Sequence, residues 1–369
     1  MKKDLTGTLT DKVLSKAVGT KNANFPRFDC REKFDFEEFS PGVKLRAGYT
    51  QQGARVVGVG SKDEPASLNF YNAQKKRVAA ATAANFVIKK GTEITASSAV
   101  VKLYMHDDSI YHPGAGFKFN IPDRIIRLDR GGLGVNKVKF YDSYHKLEIG
   151  SEVLLWKIDS TQMYFSNVTG SGKTPSNFQS QDFFEPGELE KYTNVADFNP
   201  IAVLSLYCER NKVTGMDAED LARACNKNYT EETIKGTLYS MMEDGFVFYD
   251  ENHHWVEMKP KTTLYVKANR KISDYDKISF NSLQPNGANG VLDMNKNTIN
   301  INGVDKIVVS DSNDVIFFPN ESDLQLAKGR DIKFSGLLHG GRADILAKDF
   351  QFDYEKFRVH IKDGDSLLI

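Results

Sequence analysis

The sequence predicts a mainly β protein, either stacked β-repeats of solenoid-like form or one long rolled sheet, interrupted by a small α+β module. Three observations carry this. From about Val43 to Phe165 apolar residues alternate strictly, which is the period of strands with one buried face. From about Asn199 to Arg270 the apolar period becomes that of helices. From about Ile278 to Ile369 alternation returns. The helical segment thus reads as an insertion. The implied organisation is an N-terminal β region over 1–190, an inserted domain over 197–271 and a C-terminal β region over 275–369.

The first β region is anchored by Val101, Leu103 and Met105, then Phe117, Phe119 and Ile121, then Leu154, Trp156 and Ile158. Turn-forming clusters such as His112-Pro113-Gly114 and Gly131-Gly132 break these runs. An Asp-Ser phrase recurs at Asp108, Asp142, Asp159, Asp311 and Asp365, each following an apolar strand. The first three are 34 and then 17 residues apart, a ratio that predicts rungs. Asp and Ser suit such corners because their side chains accept backbone N–H groups as the chain turns. In the last β region Leu324 and Leu326, Ile332 and Phe334, Phe350, Phe352 and Tyr354, and Phe357, Val359 and Ile361 alternate. The run Ser366-Leu367-Leu368-Ile369 ends as a new apolar strand begins. The expectation is a fragment of a longer chain, or an end that pairs with another chain.

In the helical segment a first helix follows Pro200, with Ile201, Leu204 and Cys208 on one face. A turn at Thr214-Gly215 leads to a second helix over Asp217 to about Cys225. Thr230 opens a third, striped by Ile234, Leu238, Met241 and Met242, and Gly245 to Met258 reads as a hairpin with a polar tip. This order resembles the winged helix-turn-helix domain. DNA-binding members insert the third helix in the major groove and need Lys or Arg around it. Here Thr230 to Asp244 holds Glu231, Glu232, Glu243 and Asp244 against Lys235 alone. Across Asn199 to Lys271 ten Lys+Arg face eleven Asp+Glu. A protein-contacting or structural module is expected rather than a DNA reader.

Composition narrows the classes further. The 369 residues carry 49 Lys+Arg and 49 Asp+Glu, an even balance that argues against a chain built to coat nucleic acid or anionic membrane. With 24 Phe and 15 Tyr the composition is globular, and no apolar run reaches the ~18 residues of a membrane span. Cys30, Cys208 and Cys225 have no zinc or redox spacing and read as buried small hydrophobes. The stretch Asn167 to Thr174 ends in Gly172-Lys173-Thr174, yet lacks the first glycine of a P-loop and is followed by Pro175. His106, Asp108 and His112 are close enough to consider for a metal, Asp107 and Asp108 for a carbohydrate-acting carboxylate pair, and Asp311 to Asp314 and Asp363 to Asp365 for calcium. Turn chemistry accounts for each of them. No residue is assigned a catalytic, cofactor-binding or metal-ligating role.

The phrases Asp108 to Gly114, Tyr141 to Lys146, and Ile301 to Val304 leading to Val308 to Ser312 resemble a group of very large β-repeat proteins of Bacteroidota, whose activity is not established. In that group similar phrases flank a winged-helix-like segment. The resemblance implies a longer parent chain and a cell-envelope setting. The expected function is that of a non-enzymatic scaffold or protein-interaction protein, partnered by another protein or by the rest of its parent chain. The alternatives are a winged-helix nucleic-acid binder and a carbohydrate-acting β-helix enzyme.

Overall fold

The structure is a computed structural model and describes residues 5–11, 26–61, 63–89, 91–131, 134–168, 174–193, 198–273 and 275–368. It is mainly β, with 51% strand, 18% helix and five helices, and its dominant feature is a large antiparallel sheet. Ten strands come first: β1 (Thr8–Thr10), β2 (Arg27–Ser40), β3 (Val43–Gln52), β4 (Arg55–Val59), β5 (Ala66–Tyr71), β6 (Arg77–Ala83), β7 (Asn85–Lys89), β8 (Glu93–Met105), β9 (Asp108–Asn120) and β10 (Ile125–Asp129). Then follow β11 (Phe140–Asp142), β12 (Leu147–Ile149), β13 (Val153–Lys157), β14 (Gln162–Ser166) and β15 (Ser176–Ser180). The central segment contains α1 (Pro186–Thr193), α2 (Pro200–Asn211), β16 (Gly215–Asp217), α3 (Ala218–Cys225), α4 (Glu231–Glu243), β17 (Val247–Asp250), β18 (Trp255–Met258) and α5 (Pro260–Asn269). The chain ends with β19 (Ser279–Ser282), β20 (Gly290–Asp293), β21 (Thr298–Ile301), β22 (Ile307–Ser310), β23 (Val315–Pro319), β24 (Leu324–Leu326), β25 (Ile332–Gly340), β26 (Ala343–Asp353) and β27 (Arg358–Leu368).

Two compact units result, Met1–Gly131 with Val153–Met163, and Gly132–Glu152 with Tyr164–Ile369. This division falls elsewhere than the expected 1–190, 197–271 and 275–369. The reason is strand pairing: β13 lies alongside β10 from Ile125↔Lys157 to Asp129↔Val153 and so belongs to the first unit.

In the first unit β3 and β8 are each long enough to carry two partners along one edge. The end of β3 pairs with β4, which pairs with β7 and so reaches the start of β8. The start of β3 pairs with β5, which pairs with β6 and so reaches the end of β8. The six strands close a circuit, which leaves those edges satisfied. Its inward residues alternate: Leu45, Leu68, Phe70, Ala81, Ile94, Val101 and Leu103 are all buried, as are Phe117 and Phe119 of the adjoining β9. Phe119 meets Phe70 edge-on at 4.9 Å.

His112-Pro113-Gly114, expected as a turn, lies inside β9. A register irregularity between Ala99↔Ala115 and Val101↔His112 admits the proline without breaking the strand. The Asp-Ser phrase also proves not to mark one structural position. Asp108 opens β9, and Asp159 itself has φ +75°.

A different signal recurs at six hairpins. An Asp, Asn or Ser ends a strand, four residues follow, the last of them left-handed, and the next strand begins. The pairs are Asn120/Arg124, Asp142/Lys146, Asp250/His254, Asp293/Asn297, Ser310/Asp314 and Asp353/Phe357, with φ between +49° and +54° at the second member. The leading side chain accepts from the backbone three residues on, and for Asp142, Asp250 and Asp293 also two residues on. That is side-chain capping of a turn whose twist suits antiparallel strands.

The second unit has two connected cores. Cys208, Leu221, Cys225, Ile234, Leu238, Met241, Met242 and Phe246 fill the helical one, and all three cysteines of the chain are free and buried. Asn199 Oδ1 accepts from the backbone N–H groups of Ile201 and Ala202 at the start of α2, and Asp217 Oδ1 from Glu219 and Asp220 at the start of α3. At Thr214-Gly215, expected as a turn, β16 instead adds a third strand beside β18. Among the β residues Phe334 stacks on Phe317 at 4.8 Å and on Phe350 at 4.7 Å, and Phe352 meets Phe317 edge-on at 5.5 Å. Buried Arg330 joins distant segments: its Nη1 donates to Ser180 Oγ at 2.8 Å and Asp182 Oδ2 at 2.6 Å, and its guanidinium lies 3.9 Å from the centre of the Tyr354 ring. Only the last predicted strand departs from its pattern. Phe357 is exposed in the turn before β27, and Ile361 is exposed on β27, which pairs with β26 alone.

The six hairpins make one comparison direct. Asp142 and His145 are fully buried, with Oδ2 and Nδ1 at 2.7 Å; Asp250 and His253 form the same 2.7 Å contact with His253 half exposed. Asp142→Ala leaves a buried imidazole without its carboxylate and should cost about 3 kcal/mol, whereas Asp250→Ala should cost about 1 kcal/mol. Urea unfolding of the two variants checks the ratio; equal losses would sink the explanation.

Candidate binding surfaces and buried charge

The residues considered for chemistry do not converge. His106 and Asp107 are exposed in the β8–β9 turn, with His106 at φ +56°. Asp108 is half-buried, and His112 is buried with its Nδ1 accepting from Gly114 N at 3.0 Å. Among the described residues no group of three or more His, Cys, Asp or Glu is placed to hold a metal. Asp311 pairs with Lys277 at 3.0 Å and Asp314 with His339 at 3.2 Å, so these carboxylates face cations of the chain itself. The run Gly170-Ser171-Gly172-Lys173 lies outside the described residues, as do the side chains of Asp363 and Asp365.

The first unit carries a trough of about 790 Å³ on an outer sheet face. Three cross-strand rows contribute to it: Arg27, Gln52 and Arg55; Asp29, Thr50, Val57 and Val87; and Val59 with Asn85. Strand alternation sends Cys30 of β2 to the core and leaves Arg27 and Asp29 along the trough; past Cys30 the register against β3 slips, and Arg31, Glu32 and Lys33 all line it. Lys33 Nζ reaches Glu64 Oε2 at 2.8 Å, tying β2 to the loop after β4. Gly60 starts that loop with the backbone of Ala66 so close that a Cβ would sit 2.2 Å from its nitrogen. Hydrogen bonds from Arg27 and from Thr50, the latter at 2.7 Å, hold the Asp29 carboxyl below its usual range. The periodic reading began at Val43 and missed this face. The charged alternation of Arg27, Asp29, Arg31 and Lys33 against Phe28 and Cys30 was the available signal.

In the second unit α2 is apolar on two sides. Ile201, Leu204 and Cys208 point inward as predicted. On the other side Leu206 is 44% and Tyr207 40% exposed, with Phe198 and Val213 exposed at either end, while Val203 is half-buried against the core. The α4 helix differs. Its single cation, Lys235, is held 2.6 Å from Glu251 and 3.7 Å from Glu232. The turn Gly134–Lys137 lies on it, with Lys137 3.6 Å from Glu243 and Gly134, at φ +62°, against the Tyr239 ring.

Between strands and helices sits a buried charge cluster. Glu148 and Lys261 are both buried and 3.2 Å apart, and Lys261 also donates to the Asp244 carbonyl at 2.7 Å. Lys139 donates to Asn177 Oδ1 at 3.0 Å and to Gln179 Oε1. Burial alone would raise the Glu148 carboxyl, but the ammonium groups of Lys261, Lys139 and Lys259 outweigh it and hold Glu148 below its ordinary value. Burial pulls Lys139 down to about 8, against the attraction of Glu148. With three ammonium groups around one carboxylate, Lys139 is the group placed to give up its proton.

The folded chain therefore releases the Lys139 proton near pH 8, while the unfolded chain keeps it up to the ordinary 10.5. In that window the unfolded state binds more protons, so stability rises with pH. The stability of wild type minus that of Lys139→Met should grow by about 2 kcal/mol between about pH 8 and about pH 10, measured by urea titration. The Cys208 and Cys225 thiols, pushed up by burial, the second to about 11, titrate in both proteins and cancel in the difference. A flat difference would show that Lys139 is not depressed.

No protein-family model matches the chain, no curated protein matches it, and no solved structure matches it.

Proposed function

We propose that the chain is a non-enzymatic interaction scaffold, a rolled β body carrying a winged-helix-like module that recruits a protein partner. The order α2, α3, α4 and the β17–β18 hairpin supports the winged-helix reading, and antiparallel ladders favour a rolled sheet over a parallel solenoid. The observation that carries the function is the outward apolar patch of α2, where Leu206 and Tyr207 stand exposed on a helix whose other face already fills the core. Exposed aromatic and aliphatic side chains together on one helix are the anchors of helix-mediated protein contacts.

The nucleic-acid alternative asks α4 to face phosphate. That helix begins with Glu231 and Glu232, its lysine is engaged by two carboxylates, and the Gly134–Lys137 turn lies on it. Phosphate contact by such a face is electrostatically opposed.

Two measurements test the reading. Fluorescence anisotropy with duplex DNA at physiological salt should show no saturable binding; micromolar, salt-sensitive binding would overturn it. A photo-crosslinking residue at Tyr207, in cells that produce the chain naturally, should yield one adduct that excess unlabelled chain competes away. The Leu206→Glu chain should compete about tenfold less well at unchanged melting temperature. Absence of a competed adduct would count against the scaffold.

A further inference from the structure

We propose that the trough of the first unit binds an extended acidic polypeptide segment, its carboxylates meeting Arg31 and Arg55 and its aliphatic side chains lying on Val57, Val59 and Val87. The site is separate from α2 and goes beyond the recruitment reading.

Its charge is the first argument. Seven charged residues line the trough, but they are not equivalent. Arg27 is neutralised by Asp29 at 2.6 Å and Lys33 by Glu64 at 2.8 Å. Arg31 on β2 and Arg55 on β4 have no salt bridge among the described residues, and they flank β3 from opposite sides. Arg31 feels Asp29 only at a distance, and neither guanidinium is engaged in an ion pair, so both are suited to two carboxylates, each in the bidentate geometry that a guanidinium favours. Glu32 also lines the rim, so a dense polyanion would meet repulsion that a ligand with spaced carboxylates avoids.

Shape and floor chemistry come next. Because β2 bulges between Cys30 and Phe34, the stretch from Arg27 to Lys33 advances only from Gln52 to about Gly48 on β3, about 13 Å or the reach of about four extended residues. A volume near 790 Å³ is within the range of built ligand sites. The floor is valine, threonine and asparagine, and no aromatic ring lines the trough. Nucleobases are gripped largely by stacking on aromatic side chains, which this floor cannot offer. Short aliphatic side chains of a peptide strand can lie on the three valines, while Thr50 and Asp29 already satisfy each other and need no ligand group.

The test uses the full chain and a fluorescein-labelled hexapeptide alternating glutamate and valine, with a lysine and valine hexapeptide as control. Anisotropy should show saturable binding of the acidic peptide, weakened by added salt, and none of the basic one. Arg31→Gln with Arg55→Gln should weaken it about tenfold at unchanged melting temperature, since both side chains are exposed. Leu206→Glu should leave it untouched, which separates failure here from failure of the α2 reading. No binding at about 1 mM peptide, or binding indifferent to the two arginines, would overturn the proposal. Arginine-dependent binding of an oligouronate or an oligonucleotide in place of the peptide would overturn its ligand assignment.

Discussion

An acceptor side chain at a strand end, with a left-handed residue four positions on, is the constraint on which much of this β structure rests. Antiparallel neighbours need a reversal whose twist matches their own, and a backbone with φ near +50° costs a non-glycine residue unless its surroundings hold it. At Asp142, Asp250 and Asp293 the carboxylate collects two consecutive N–H groups, which fixes the first half of the turn and leaves the left-handed residue to complete it. The strands then start in register, and register decides which face is buried. The Asp353 turn sets Phe352 opposite Val359 in this way, whereas Phe334 faces Phe350 across the β25–β26 turn, where Gly341 takes the left-handed conformation.

The helical segment is held to its β neighbours by charge as well as by packing. Glu148 extends from β12, Lys261 from the first turn of α5, and the Asp244 carbonyl from the end of α4. Removing either partner of such a pair leaves a charge stranded away from water, so its chief contribution is to geometry. Arg330 acts in the same sense across Ser180, Asp182 and Asp276.

Much of this was legible in the sequence, and the limits were physical. Alternation placed Val101, Leu103, Phe117, Leu154 and Trp156 in cores, and helical spacing placed Ile201, Leu204 and Leu238. A strand's period reports its faces but not its partner, so the return of β13 to β10 could not be read. His112-Pro113-Gly114 has turn composition and became strand because a register irregularity absorbed the proline. The Asp-Ser phrase misled because the capping property belongs to the strand-ending acceptor and its left-handed fourth neighbour, a pattern without a fixed second residue. The trough was invisible for a related reason: a polar row such as Arg27, Asp29 and Arg31 looks the same on a flat solvated face as on a concave one.

The circuit of β3, β4, β7, β8, β6 and β5 also sets the order in which the first unit can form. Neither branch is complete until β8 arrives, and β8 must engage β7 with its first residues and β6 with its last. Chain from Val43 to Met105 is therefore committed before the ring repays any of its closure entropy. Once the ring is closed, each of its six strands pairs with two others of the ring, so none can peel away without breaking two ladders.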